Sequence, residues 1–172
     1  MTPESTSSHE WLNEHENEAW VALVDLMLRL PSTLDSKLQK ECHLSFYEYM
    51  VLAMLSEQPD RTLGMGTLAG LTSGSLSRLS HVITRLEKAG YVTRTRGSHD
   101  KRHTNAHLTE AGWEKIVDSA PTHVAQVRET VFNALSNEHV QQLTTIANAI
   151  RINLDADCLG PKTGKESRDK TD

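Results

Sequence analysis

One helix-forming segment, residues 75–89, constrains the fold of this 172-residue chain more than any other. Its apolar side chains recur at steps of three and four, which places them on one helical face. They are Leu76, Leu79, Ile83 and Leu86. Basic side chains recur with the same steps on a displaced face. They are Arg78, His81, Arg85 and Lys88. One face of the helix can therefore pack, while the other presents cations and small hydroxyls.

The residues before this segment predict a helix-turn-helix. A brief extended piece and a short helix over residues 64–71 come first, followed by the turn 72–74, which contains a glycine. Ser75 is a suitable N-cap for the second helix, and Gly90 is placed to end it in a left-handed conformation. Two helices joined by a tight turn form a helix-turn-helix candidate.

The residues after it predict a β-wing. Residues 91–94 and 105–108 are short and strand-like, and the loop between them is polar and basic. A helix whose thin N-terminal end can approach bases, with cations beside it, suits the major groove of DNA. A basic wing tip suits a narrow minor groove. The alternatives are an ordinary amphipathic surface helix and a plain hairpin with a solvated loop.

Charge is distributed unevenly along the chain. The formal net charge is −5, yet residues 75–103 contain seven basic and two acidic side chains. Attraction to phosphate acts locally, within a Debye length of roughly 8–10 Å. An acidic protein with one basic segment can therefore still bind a polyanion.

Long helices are predicted on both sides of this region. The first, over residues 10–39, has an apolar stripe, and Pro31 predicts a kink or a break in it. A capping box of Ser45 and Glu48, with a staple of Leu44 and Tyr49, opens the next helix, which should end near residue 58. The stripe of the first helix consists of Trp20, Leu23, Met27, Leu30, Leu34 and Leu38.

The C-terminal part predicts two further helices. Thr109 can cap a long helix with a kink at Pro121 and apolar side chains as far as Leu135, and Ser136 can cap the last one. The N-terminal helix and these two carry more apolar surface than a DNA-binding lobe of this size can bury alone. An isologous dimer is the common solution.

The order of the motifs resembles the MarR family of bacterial transcription regulators. The resemblance covers roughly residues 10–155 and rests on Arg85-Leu86-Glu87, Gly90-Tyr91-Val92, Asp100-x-Arg102 and Leu108-Thr109-x-x-Gly112. The chain departs from many members, which have Thr-Arg where Ser80-His81 stand here and lack an arginine at position 78. The stretch 77–81 is similar to the actinobacterial branch of the family. These departures leave the operator sequence open, whereas the mode of DNA binding expected from the resemblance is unaffected.

The resemblance implies a mainly α (α+β winged helix) protein that binds double-stranded DNA as an obligate homodimer, on a pseudo-palindromic operator. Four segments are expected: an N-terminal dimerisation helix (10–40), a winged helix-turn-helix lobe (41–109), C-terminal dimerisation helices (110–156) and a disordered tail (157–172). A small aromatic ligand between the dimerisation helices and the lobe would act by changing lobe spacing and releasing a repressor.

DNA-contacting side chains are expected on the second helix of the motif and on the wing. Ser75, Ser77, Arg78 and His81 are assigned to the major groove, and Arg102 with Lys101 to the wing tip. Arg85 either faces phosphate or braces the lobe. Asp100 is expected to orient an arginine, because a carboxylate beside phosphate is repelled.

Parts of the sequence would also suit other functions. Cys42 beside His43, near a predicted helix start, would suit a thiol-responsive regulator, and the spacing of His99, His103 and His107 a metal-responsive one. A winged helix can also serve only as a protein-interaction module. No phosphate loop, nucleophile elbow or CxxC pair indicates an enzyme, and no cofactor or membrane span is expected. Without a basic-then-apolar signal segment, we expect a cytoplasmic protein.

Overall fold

The computed structural model describes residues 11–96 and 104–158, with side chains described as far as residue 154. The chain divides into two compact units, residues 1–126 and 127–172. In chain order the elements are α1 (Glu14–Cys42), α2 (Phe46–Ser56), β1 (Thr62–Gly64), α3 (Met65–Leu71), α4 (Leu76–Lys88), β2 (Val92–Arg96), β3 (Thr104–Leu108), α5 (Glu110–Thr130), a 3-10 turn (Phe132–Ala134) and α6 (Asn137–Cys158).

Helix α1 begins at a capping box that the sequence analysis did not identify. The Asn13 side chain accepts from the Glu16 amide, and the Glu16 carboxylate accepts from the Asn13 amide. The helix then continues through Pro31, so the predicted break is wrong, whereas a kink stays a prediction. Proline frees the carbonyl four residues earlier, but Met27 is exposed there, so solvent can satisfy that group.

Helix α2 forms the centre of the core in the first unit. The predicted capping box is confirmed, since the Ser45 hydroxyl accepts from the Glu48 amide and the Glu48 carboxylate accepts from the Ser45 amide. The predicted staple residues Leu44 and Tyr49 both belong to the same core cluster. Leucines from α1, α2, α3 and α4 fill this core together with Val51. They are Leu38, Leu52, Leu55, Leu68, Leu79 and Leu86.

A three-stranded antiparallel sheet carries the wing. Strand β3 lies in the middle and pairs with β1 on one side, with Thr62 opposite His107, and with β2 on the other, with Val92 opposite Leu108. Strand β1 precedes α3, and strands β2 and β3 follow directly after α3, the turn and α4. The winged helix fold expected from the sequence is therefore confirmed.

The Leu-Thr-x-x-Gly motif fixes how α5 leaves the sheet. The Thr109 amide donates to the Tyr91 carbonyl at 3.0 Å, its hydroxyl donates to the Gly90 carbonyl at 2.7 Å, and the same hydroxyl accepts from the Gly112 amide at 3.1 Å. A Cβ on Gly112 would lie only 2.1 Å from the Tyr91 carbonyl oxygen. Glycine is thus the residue that lets the helix backbone approach this closely.

In the second unit, α6 is held at its start by the predicted serine cap. The Ser136 hydroxyl accepts from the His139 amide at 3.2 Å. The preceding helix ends at Thr130 and gives way to the 3-10 turn, so Leu135 does not lie on α5 as predicted. Helix α6 extends to Cys158, two residues into the predicted tail, and the rest of that tail lies outside the described residues.

Candidate nucleic-acid interface

The turn between α3 and α4 is closed by a tyrosine from α2. Ser73 has a positive φ of 49°, and the Gly74 amide donates to the Ala69 carbonyl at 3.0 Å. A Cβ on Gly74 would meet the Tyr47 hydroxyl oxygen at 2.0 Å, so only glycine fits beside this ring. The Tyr47 hydroxyl in turn hydrogen-bonds the Thr72 hydroxyl at 3.0 Å. Tyr47 therefore packs directly on the turn that orients α4.

Helix α4 begins at the predicted N-cap, where the Ser75 hydroxyl accepts from the Arg78 amide at 3.2 Å. Its buried face consists of Leu79, Val82, Ile83 and Leu86. At about 100° per residue, the direction opposite this face is occupied by four exposed polar side chains. They are Ser77, His81, Thr84 and Lys88. The helix thus presents small hydroxyls, an imidazole and an ammonium group outward.

Leu76 differs from its prediction. The sequence placed it in the buried stripe, but its side chain is 59% exposed, and Val82 is buried instead. The helical wheel alone does not decide between the two residues, because Val82 and Leu76 lie at opposite edges of the apolar face. Leu76 stands in the first turn of the helix, where its side chain stays exposed.

Arg78 lies on one flank of α4 and contacts an aromatic ring. Its guanidinium carbon is 4.3 Å from the centroid of the Tyr47 ring, within the range of a cation–π contact. The same ring packs on the turn before the helix. Tyr47 therefore links the orientation of the helix to the position of one of its cations.

Arg85, about two turns further along α4, is paired with a buried carboxylate. Its Nε donates to Glu48 Oε1 at 2.9 Å, and its Nη2 also bonds to that oxygen. The Arg85 side chain is 63% exposed and that of Glu48 only 10%. The sequence left open whether Arg85 faces phosphate or braces the lobe, and here it is tied to α2 while much of it stays exposed.

The environment of Glu48 favours its ionised form. Burial alone raises the pKa of this carboxyl, but hydrogen bonds from the Ser45 amide, the Arg85 guanidinium and the Ser45 hydroxyl together hold it below its ordinary value. The single carboxylate of Glu48 therefore both caps α2 and pairs with Arg85 on α4.

A second arginine ties the wing to α4. The Arg94 amide donates to Glu87 Oε1 at 2.9 Å, and its guanidinium bonds to Glu87 Oε2, to the Ser80 carbonyl at 2.8 Å and to the Thr84 hydroxyl at 3.0 Å. Glu87 belongs to the Arg-Leu-Glu motif at the end of the helix. Strand β2 is thus anchored to α4 by a bidentate side chain.

The structure brings five of the seven predicted DNA-contacting residues together on α4. All five are exposed, and they are Ser75, Ser77, Arg78, His81 and Arg85. The wing-tip cations Lys101 and Arg102 and the predicted brace Asp100 lie outside the described residues. What brings the five together is the N-terminal two and a half turns of one helix.

Sequence reasoning missed the side chains that hold these residues in place. Tyr47 and Glu48 come from α2, some 30 residues before α4, and no local pattern connects them with it. The pair of Glu87 and Arg94 had a signal, because complementary charges stand on either side of the Gly90 turn. A helix end followed at once by a strand brings such charges close together.

An open groove runs along the Arg78 flank of α4. It has a volume of about 980 Å³ and is formed by α1, the first turn of α2 and α4. Its lining combines aromatic, acidic and basic groups. Among them are Asp35, Phe46, Tyr47, Arg78, His81 and Arg85. The chemistry of this lining suits a planar molecule that carries a negative charge.

The thiol and metal alternatives gain no support from the described residues. Cys42 is the last residue of α1, three residues before the N-cap of α2, and its 6% exposure leaves an oxidant little access to the thiol. His107 hydrogen-bonds the Thr62 hydroxyl at 2.9 Å, and His99 and His103 lie outside the described residues. Within the described part of the chain, no group of three metal-ligating side chains occurs, and no helix is long and apolar enough to span a membrane.

A lobe of this construction, with a capped helix that exposes polar and basic groups beside a braced two-stranded wing, defines a winged helix-turn-helix DNA-binding protein. Comparison with known proteins agrees. The family model for the transcriptional regulator SarA/Rot matches residues 33–118. The chain is 28% identical over 140 residues to the HTH-type transcriptional regulator MhqR of Bacillus subtilis, covering 79% of this chain and 94% of that protein.

Two solved structures from Streptomyces coelicolor are similar over almost the whole fold. The MarR family regulator AbsC has a TM-score of 0.79 and 35% identity, over 86% of this chain and 99% of that one. The MarR family regulator Sco3205, solved in complex with DNA, has a TM-score of 0.78 and 35% identity, over 91% and 95%. The chain belongs to the MarR family of winged helix transcriptional regulators.

Proposed function

We propose that the protein is a homodimeric repressor that binds a pseudo-palindromic operator and is released from it by a small aromatic ligand. It acts in the cytoplasm, without a cofactor and without catalysis of its own. The observation that carries the proposal is the outward face of α4, which exposes hydroxyl, imidazole and cationic groups on a helix braced from both sides.

Each predicted contact has a role in this proposal. Ser75, Ser77, Arg78 and His81 enter the major groove, where short side chains let the helix approach the bases and Arg78 can donate to a guanine. Arg85 meets a phosphate while it remains tied to Glu48. On the wing, Lys101 and Arg102 reach the adjacent groove, with Asp100 holding one of the arginines. A relative of the same family has been solved in complex with DNA, which supports this mode of binding.

Exposed apolar side chains support the dimer. In the first unit they line α1, where Leu28 is 73% exposed; the others are Trp20, Val21, Leu23, Leu26 and Met27. In the second unit they line α6. They are Leu143, Ile146, Ile150, Ile152 and Leu154. Apolar surface left open on this scale is typical of a subunit interface, and two-fold pairing is the commonest way to cover it.

The groove beside α4 supports ligand release. A planar anion bound there would contact Arg78 and His81, two of the side chains assigned to the operator. Ligand and DNA would then compete for the same groups, and a ligand that binds only the DNA-free form shifts the population away from the operator.

One experiment tests the DNA-binding part. Bound duplexes are selected from a random pool, and the mass of the free protein and of its complex is measured by analytical ultracentrifugation. We expect an inverted repeat whose half-sites lie about 10–10.5 base pairs apart, bound by two chains. Affinity should fall steeply with salt and with added heparin. A single half-site bound by one chain would contradict the dimer, and absence of enrichment would favour a protein-interaction module.

A second experiment tests release. A set of aromatic carboxylates and phenols is screened for loss of the selected duplex, and any active compound is then titrated against Tyr47→Leu, which removes one of the two aromatic rings that line the groove. We expect that variant to need a higher concentration for release. Equal sensitivity of the variant and the wild-type protein would place the ligand elsewhere. A reporter gene downstream of the operator distinguishes repression from activation.

A further inference from the structure

Leu76 has an unusual environment among the apolar side chains of α4. It is 59% exposed, whereas Leu79, Val82, Ile83 and Leu86 are all buried. A single exposed leucine is not remarkable on a protein surface. This one, however, is the first residue of the helix, next to Ser75 and in the turn that approaches the bases in helix-turn-helix proteins.

Leu76 lies on the flank of α4 away from Arg78. Two residues along a helix are about 200° apart, so these two side chains point to opposite sides, while Ser80 follows Leu76 on the same side. On this flank α4 borders a second groove of about 650 Å³, shared with β1, the start of α3 and β3. Thr67 and Asn105 line that groove together with Leu76.

The second groove offers little attraction for phosphate. The charged side chain among its described lining residues is Arg94, and its guanidinium is already bonded to Glu87, the Ser80 carbonyl and the Thr84 hydroxyl. What remains is an exposed branched alkyl group among hydroxyl and amide groups. In the major groove, the group that matches an alkyl side chain is the 5-methyl of thymine, which cytosine lacks.

We propose that Leu76 contacts the 5-methyl group of a thymine in each half-site and so determines the preference for thymine over cytosine at that position. This inference rests on the proposed entry of α4 into the major groove. The helix then reads DNA with two flanks, one cationic through Arg78 and one apolar through Leu76.

Replacing single thymines by deoxyuridine tests the contact, because uracil keeps the hydrogen-bonding groups and lacks only the methyl. The duplex selected above is synthesised with uracil at one thymine position per half-site, each position in turn, and Kd is measured. We expect one position to weaken binding about fourfold per methyl group, as burial of one such group predicts. The other positions should change little.

The variant Leu76→Ala tests whether the weaker binding of the uracil-containing duplex is due to Leu76. It should bind thymine- and uracil-containing duplexes equally at the sensitive position. The control Leu71→Ala, at another exposed leucine just before the turn, should retain the wild-type difference. The proposal is overturned if no position responds to uracil in the wild-type protein, or if Leu76→Ala keeps the full response. If no duplex is enriched in the selection, sequence reading by α4 fails as a whole, and this inference with it.

Discussion

At the scale of single residues, the candidate interface depends on side chains with two tasks. Glu48 caps α2 and accepts from Arg85, and Tyr47 packs on the turn and under Arg78. The exposed faces of Arg78 and Arg85 are therefore positioned by side chains of α2 and not of α4 itself. Substitutions of Tyr47 and Glu48 should therefore distinguish effects on the stability of the fold from effects on the recognition of DNA.

Replacing Glu48 by glutamine should make the protein less stable and less sensitive to acid. The pKa of Glu48 is lowered in the folded state, so the unfolded chain binds the proton more readily. The stabilisation is fully present above the ordinary value of 4.5 and is lost as the pH falls through the lowered folded value. Because Arg85 is largely exposed, we expect a loss of only about 1 kcal/mol at pH 7.

Denaturant unfolding between pH 3 and pH 7 measures this effect. Glu48→Gln should show a lower free energy of unfolding at neutral pH and a flatter dependence on the acid side. The control Glu57→Gln removes the same charge from the exposed C-cap position of α2 and should follow the wild-type curve. Parallel curves for Glu48→Gln and the wild-type protein would show that the ion pair contributes nothing.

Replacing Arg78 by alanine should change which operators are preferred. Loss of the proposed bidentate contact to a guanine should relax discrimination at that base pair by roughly 1–3 kcal/mol. Repeating the selection with the variant measures this. Lys40→Ala, which removes one exposed positive charge at the end of α1, should select the wild-type operator with no relaxed position. An unchanged preference for Arg78→Ala would take Arg78 off the base-reading surface.

At the scale of elements, much of this fold follows from local signals. Capping residues, the Gly90 turn and the apolar periodicity predicted α2, α3, α4 and both wing strands. The failures have physical causes. Helix α1 passes through Pro31, a residue that alone predicts only a kink or a break. Leu76 was wrongly placed in the core. A helical wheel shows in which direction a side chain points, but not whether another part of the protein packs against it.

Replacing Gly112 by alanine should destabilise the whole lobe. The added Cβ would lie 2.1 Å from the Tyr91 carbonyl oxygen and 2.6 Å from Leu108 Cδ1, so backbone must shift. We expect a loss of roughly 2–4 kcal/mol, as for overpacking at a rigid contact. Thermal unfolding measures it. Gly70→Ala, in a helix with no neighbouring atom within 4 Å, should be neutral or stabilising by about 0.5–1 kcal/mol.

Replacing Arg94 by alanine should loosen the wing from α4. Its guanidinium supplies three of the links between β2 and the helix, and the backbone amide of position 94 alone keeps the contact with Glu87. Hydrogen exchange at the β2 amides should become faster, and operator affinity should fall. Arg96→Ala, at an exposed position on the same strand, should leave the exchange unchanged. Equal exchange in both variants would mean that sheet pairing alone holds β2.

At the scale of the whole molecule, the sequence indicated unburied apolar surface and the structure shows where it lies. Of the predicted α1 stripe, Leu34 and Leu38 are buried, whereas Trp20 and Met27 are about half exposed. Periodicity predicted an apolar face along the whole helix. It could not tell that the fully buried residues of α1 all fall in its C-terminal third, because that depends on where α2 lies.

Replacing Leu28 by glutamate should weaken the proposed dimer and, with it, operator binding. A charge at this exposed apolar position would be desolvated in a subunit interface, which costs several kcal/mol. Analytical ultracentrifugation at decreasing concentration measures the shift toward single chains. Asn17→Glu, an equally charged change at an exposed polar position of α1, is the control. A variant that stays dimeric would exclude Leu28 from the interface.

The ties from Tyr47 to Arg78 and from Glu48 to Arg85 have a consequence for engineering. Helix α4 cannot be moved alone to another protein with its geometry intact, because Arg78 and Arg85 on its flank contact Tyr47 and Glu48 at the start of α2. A graft of residues 75–89 onto another regulator would transfer the sequence of the helix without Tyr47 and Glu48, which position its arginines. New operator preferences are better sought by exchanging Tyr47, Glu48 and α4 together.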